Sequence, residues 1–267
     1  MKHRKKHQKN NQIETYPIHF PHSEITRIVI GYAQSQGMRD YQEDSFGYWQ
    51  SKHQQKRFAA VVADGMGGLT EGNKISAYVV QQMLEQCKEM NPELSVMSQF
   101  RTILQDMNEE AKEHFPESGS TVVTVYCDEN GLYWCCAGDS RIYLYRRGRF
   151  IQLNEDDDYF NCLFDRVREG SLTYKEAVAE PQKDCLVQYV GMQSVIEPDC
   201  NNRPFVLERH DKLLLCSDGI YNMLPRQELI EIMAKPVSKI TESILLKSKQ
   251  NNNPYQDNFT AVILQFE

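Results

Sequence analysis

The sequence predicts an α+β fold of antiparallel sheets with helices packed outside them, and three observations carry that prediction. Between residues 120 and 153, β-branched and aromatic runs follow one another with glycine or Asn-Gly between them, the texture of hairpin-linked strands. The amphipathic stretches fall together before and after these strands, so the chain lacks the strand–helix alternation that builds a parallel sheet. No long polar linker interrupts it after residue 24, and 267 residues, 40% of them hydrophobic, suffice for one large core. Residues 25–267 read as a single domain.

The elements follow in order. ITRIVIGYA (25–33), SFGYWQ (45–50) and RFAAVVAD (57–64) read as strands. Ile75, Val79, Met83 and Cys87 recur every four residues, with Val80 and Leu84 beside them, which predicts a helix with one apolar face. Asn91 as N-cap and Pro92 at the first helical position open a second helix, whose buried face is Met97, Phe100, Leu104, Met107 and Ala111. Four strands come next: STVVTVYCD (120–128), LYWCCAGDS (132–140), RIYLYRRG (141–148) and FIQL (150–153). A helix is expected over 158–168, and Thr173 with Glu176 offers a capping box for another. PFVLERH (204–210), KLLLCSD (212–218) and FTAVILQFE (259–267) complete the strands, and between the last two lie helices starting from Pro225 and from Ser238.

Composition excludes several classes. The formal net charge is -7, against a nucleic-acid-binding body. No apolar run approaches the roughly 20 residues that span a bilayer. The opening MKHRKKHQKNNQ is basic but has no apolar segment behind it, so it is not a secretory signal. Residues 1–24 read as a basic, solvated, disordered tail. The eight cysteines form no C-x-x-C pair and read as reduced, mostly buried thiols of a cytoplasmic protein.

The chemistry lies in acids at strand ends. AAVVADGMGG (59–68) runs an apolar strand into Asp64 and then strips the side chains from the turn behind it. LLLCSDG (213–219) repeats the pattern at Asp218, and CCAGDS places Asp139 at a third strand end. Glu43 and Asp44 directly precede one strand, and Asp257 precedes the last. Any one Asp-Gly is an ordinary turn. Together, these carboxylates would repel one another unless a cation lay among them. Oxygen ligands favour Mg²⁺ or Mn²⁺ over zinc, and no histidine falls in these motifs. Glycines after Asp64 let backbone carbonyls and a ligand approach. Two ions roughly 3.5–4 Å apart generate a hydroxide at neutral pH and clamp an in-line displacement at phosphorus. Arg39, four residues before Glu43, is the candidate to grip the phosphate oxygens.

GMRDYQEDSFGYW, VVADGMGG, GSTVVTVYCDENGLYWCCAGDSRIYLYRRGRFIQL, LLLCSDGIYNML and DNFTAVIL, in that order, resemble the motif series of the type 2C, metal-dependent protein serine/threonine phosphatases. The resemblance covers about residues 27–267. Methionine in DGMGG is similar to the bacterial branch. The resemblance implies a four-layer αββα sandwich. It implies that Asp64 bridges two ions, with the Gly65 carbonyl as a further ligand, and that Asp218 and Asp257 hold one of them. Glu43 and Asp44 would reach the pair largely through water, Arg39 would bind the phosphate, and Asp139 would serve a third, weaker ion. The implied activity is hydrolysis of phosphoserine and phosphothreonine on proteins, the products of a bacterial Ser/Thr kinase, by a monomer. The rival readings are a catalytically weak relative that binds phosphoproteins and a regulatory phosphatase dedicated to one partner.

Departures from the family pattern are Gln42, Asn73, the neighbours of Asp156 in LNEDDDYF, and LVQYVG at 186–191. They point to idiosyncratic substrate selection around an intact set of acids. Cys216 follows three leucines and reads as core, Ser120 and Ser140 lack a histidine base nearby, and Met66 reads as packing.

Overall fold

The computed structural model describes residues 13–18, 20, 24–51, 57–66, 71–251 and 253–267. In chain order, its elements begin with β1 (Ile13–Pro17), β2 (Arg27–Ser35), β3 (Asp44–Gln50) and β4 (Phe58–Met66). Helices α1 (Gly72–Glu89) and α2 (Val96–His114) follow, then β5 (Gly119–Ser120), β6 (Val122–Asp128), β7 (Gly131–Ala137), β8 (Arg141–Arg146) and β9 (Arg149–Gln152). Next come α3 (Tyr159–Arg168), α4 (Tyr174–Ala179), β10 (Asp199–Cys200) and β11 (Lys212–Cys216). Helices α5 (Asp218–Met223), α6 (Arg226–Met233) and α7 (Val237–Gln250) lead to the last strand, β12 (Phe259–Phe266).

The strands form two antiparallel sheets. The first runs β1-β2-β12-β11-β8-β9 and the second β10-β7-β6-β4-β3, with β5 pairing the end of β4. Period-two alternation assigns each strand two apolar faces. Phe58, Ala60 and Val62 of β4 meet Ile28, Leu213 and Val262 between the sheets. Ala59, Val61 and Ala63 of the same strand pack under Ile75, Val79 and Phe100 of α1 and α2. On the other side, Leu214 and Ile263 lie under Ile220, Leu229 and Ile240 of α5–α7. The result is the expected αββα order of layers. Because helices cover both sheets, the central strands are buried on both faces and read as continuous apolar runs.

Four expectations change. Residues 13–18 and 20 are not solvated tail: β1 pairs β2 from Ile13↔Gly31 to Pro17↔Arg27, and Ile18 and Phe20 are buried in the intersheet core. Pro17 ends an edge strand, where its missing N–H costs no ladder bond. The basic run 1–12 lies outside the described residues, as do Gly67 and Gly68. Asn91 does not cap α2. Its carboxamide accepts from Glu93 N at 2.9 Å in a local turn, and Ser95 is the N-cap, accepting from Ser98 N. Residues 204–210 contribute one bridge, Leu132↔Phe205, because Glu208 turns back to accept from Arg146. Finally, the acid of LLLCSDG opens helix α5 directly. The Thr173–Glu176 capping box forms as expected.

Candidate active site

The two sheets meet in a cleft of about 550 Å³. It is lined by Arg39, Glu43, Asp64, Gly65, Asp139, Asp218 and Asp257, seven of the eight residues that sequence reasoning singled out. The eighth, Asp44, lies behind the cleft wall at 4% exposure. It stands directly opposite Asp64 in the β3–β4 register, where two like charges repel.

Backbone and hydroxyl groups fix these acids. Asp64 N donates to Thr121 Oγ1 at 3.0 Å, and its carbonyl accepts from Thr121 N at 2.9 Å and Ser120 Oγ at 3.2 Å. Ser217 Oγ donates to Asp44 Oδ2 at 2.7 Å and accepts from Thr260 N at 3.0 Å. Tyr221, one turn into α5 from Asp218, donates to Asp139 Oδ2 at 3.1 Å. The glycines after the acids have a steric cause. A Cβ on Gly65 would lie 1.9 Å from the Gly72 carbonyl, and one on Gly219 would lie 2.0 Å from that of Asn258.

The electrostatics are those of an uncompensated cluster. Burial and then the charges of Asp44, Asp218, Asp139 and Asp257 hold the Asp64 carboxyl well above its usual range. Burial followed by Asp139 and Asp257 pushes Asp218 up to about 7. Asp44, chiefly through burial, is pushed up to about 6, and its Oδ1 has no hydrogen-bond partner among the described residues. Burial also raises Glu43 and Asp139. Arg39 is the one cationic side chain among the described residues lining this cleft, and its Nη2 donates to Asp257 Oδ2 at 2.5 Å. Among the described residues its ion pair is with Asp257, not with its sequence neighbours Asp40 and Glu43.

These observations fit divalent cations. Mutual repulsion, an orphaned buried carboxylate oxygen and an all-oxygen donor set are what such an ion resolves. Among the described residues, no three His, Cys, Asp or Glu side chains are gathered into a set that could hold an ion alone. The acids instead surround an open cleft, which suits an ion that keeps several of its waters, as Mg²⁺ does.

The pattern of protein phosphatase 2C matches residues 39–253. The chain belongs to the protein phosphatase 2C family. Its relatives include the serine/threonine phosphatase stp of Listeria monocytogenes, 28% identical over 85% of this chain and 91% of the relative. Protein phosphatase PhpP of Streptococcus pneumoniae is 30% identical over 78% of this chain and 85% of its own length. The same fold recurs in the serine/threonine phosphatase of S. agalactiae, which superposes with a TM-score of 0.76 at 24% identity over 90% of this chain and 100% of that one. It recurs too in the catalytic domain of PstP in complex with 2 manganese ions, at a TM-score of 0.65 and 23% identity over 89% of this chain and 98% of that one.

Sequence reasoning missed the polar residues that hang this phosphatase's acids in place. Asn258 is the chief of them. Its Oδ1 accepts from Glu43 N at 2.7 Å, and its Nδ2 donates to Gln36 O at 2.8 Å and Tyr41 O at 2.9 Å. One buried carboxamide thus closes the loop that carries Arg39. Its place after Asp257 was the available signal, but an Asp-Asn pair before a strand also reads as a turn. Asn258→Ala is expected to destabilise by about 1–3 kcal/mol through orphaned backbone groups and to raise KM. Urea titration of Asn258→Ala checks this, and an unchanged midpoint shows that the loop hangs on other contacts.

Proposed function

We propose that Asp64, Asp218 and Asp257, with the Gly65 carbonyl and with Glu43 and Asp44 through water, hold two ions, Mn²⁺ or Mg²⁺. Asp139 serves a third, and Arg39 binds the phosphate. The phosphatase then hydrolyses phosphoserine and phosphothreonine on proteins. The observation that carries this reading is the convergence of mutually repelling acids and one guanidinium on a single cleft. When bound, the ions supply an acidified water and positive charge toward the phosphate oxygens.

The chain's own groups do the rest. Asp64 is locked by Thr121 and Ser120 and presents its carboxylate at the cleft floor. Arg39 exchanges Asp257 for the phosphate, where its planar fork meets two oxygens. Met66 lines the same cleft, and its thioether has no proton to give, so the leaving alkoxide takes its proton from water or another group. The substrates we expect are products of a bacterial Ser/Thr kinase in the cytoplasm, met by a monomeric enzyme. No helix of the described residues is long and apolar enough to cross a membrane.

The test is hydrolysis of a phosphothreonine peptide and of p-nitrophenyl phosphate, with and without Mn²⁺. Activity is expected to vanish in EDTA, to return with Mn²⁺ or Mg²⁺, and to survive iodoacetamide, since no cysteine is among the described residues that line the cleft. Full activity in EDTA overturns the reading, and binding without turnover in Mn²⁺ favours the silent relative.

A further inference from the structure

Strand β9 closes one edge of the first sheet, and among the described residues no strand pairs with its outer side. The parity of that edge follows from the hairpin. Arg146 faces Arg149 across the two-residue turn, so this pair and every second pair beyond it exchange ladder bonds. Leu153 N donates to Ile142 O at 2.8 Å, which fixes the same parity at the far end. Phe150 and Gln152 therefore turn their backbone groups outward. Arg226 Nη2, which donates to Phe150 O at 2.5 Å, confirms the direction.

Ile151, 46% exposed, is the crest between two clefts. One, of about 440 Å³, has the stacked rings of Tyr143 and Phe150 on its helix side. The other, of about 560 Å³, opens toward the intersheet core at Leu144 and Leu153. Both are rimmed by arginines. Arg141 is matched by Asp156, Arg146 by Asp211 and Arg147 by Glu208. Arg149 and Arg226 have no carboxylate partner among the described residues. A protein of net charge -7 thus concentrates unmatched positive charge along an open, apolar strand edge. A second copy docking antiparallel on β9 would set arginines against arginines, so the charge selects an acidic occupant.

We propose that the β9 edge docks an extended, acidic segment of the phosphoprotein substrate by strand addition, with its carboxylates on Arg149 and Arg226. The role in turnover rests on the phosphatase reading, and the geometry supports it. Tyr221 lines the helix-side cleft and bonds Asp139 in the catalytic cleft, so a docked segment lies one side chain from the site. Main-chain bonds to the Phe150 N–H and to both backbone groups of Gln152 give affinity, the Phe150 carbonyl being held by Arg226, and the flanking arginines give the preference for acids.

The test uses a labelled ten-residue peptide alternating glutamate and valine, and the full chain in EDTA, so that binding is read independently of catalysis. Saturable binding by anisotropy is expected, weakened about tenfold by Arg149→Glu and again by Arg226→Glu, as for lost charge-assisted contacts. A lysine–valine peptide should not bind. Amide exchange should slow at Gln152, whose N–H points outward, and stay unchanged at Ile151, already bonded to β8. With Mn²⁺, an acidic extension on a phosphothreonine peptide should raise kcat/KM in the wild type only, while Arg149→Glu leaves p-nitrophenyl phosphate turnover unchanged. No saturable binding, binding indifferent to both substitutions, or self-association through β9 by sedimentation overturns the proposal. Loss of turnover with intact, arginine-dependent peptide binding would sink the phosphatase reading and leave the docking edge standing.

Discussion

Asp64→Asn is expected to abolish turnover and to remove one class of Mn²⁺ site in calorimetric titration, and Asp218→Asn to do the same. Each substitution removes a charged oxygen from a set whose members already raise one another's pKa. The same repulsion gives a second readout in EDTA. The folded protein holds Asp218 at about 7 and Asp44 at about 6, against about 4 for an unperturbed aspartate. The folded state thus binds these protons more tightly than the unfolded chain. The contribution of these two groups to the stability of the metal-free protein is therefore fully present below about pH 4 and is lost as pH rises through about 7. Asp64→Asn, by deleting the charge that Asp44 faces, should raise the metal-free melting temperature at pH 7 while destroying activity. An unchanged Mn²⁺ site count in Asp64→Asn contradicts its bridging place.

Arg39→Ala should lower kcat/KM for a phosphopeptide by roughly 10- to 200-fold, the range of a lost charge-assisted pair worth about 1.5–3 kcal/mol. Part of the loss appears as a raised KM, because the phosphate dianion is held before reaction as well as during it. Removing the guanidinium also frees Asp257, now engaged at 2.5 Å, so Mn²⁺ affinity without substrate should hold or rise. A kcat/KM within twofold of wild type leaves Arg39 as a counter-ion of Asp257 alone.

The acids were legible in the sequence because each ends an apolar run, and a strand end is where a polar group meets both solvent and the sheet's rim. The layers were legible from period and element order. Other features needed distant parts of the chain. Arg39 and Asp257 are 218 positions apart, and their pairing follows from β2 and β12 lying side by side. Asn258, Thr121 and Ser217 satisfy backbone groups and carboxylates brought to them by the fold, and nothing local marks them apart from turn formers. Strand β1 was hidden because five residues ending in proline behind a basic run carry too little apolar signal. Helix α5 was hidden because its six residues fall short of two turns and follow a strand without a break.

The acids are divided between the sheets. Asp44 and Asp64 belong to β3 and β4 of the second sheet with Glu43 just before β3, Asp218 and Asp257 border β11 and β12 of the first, and Asp139 sits where the chain crosses from one to the other. The hydroxyl of Ser217 already pins the seam by reaching from the end of β11 to Asp44. Cations seated there would rivet the two halves of the sandwich at one end. At the opposite end Gln50 already donates to the Pro17 carbonyl and Tyr16 packs edge-on against Tyr48 across the same seam, so loading the site would clamp the one end where like charges otherwise push the sheets apart.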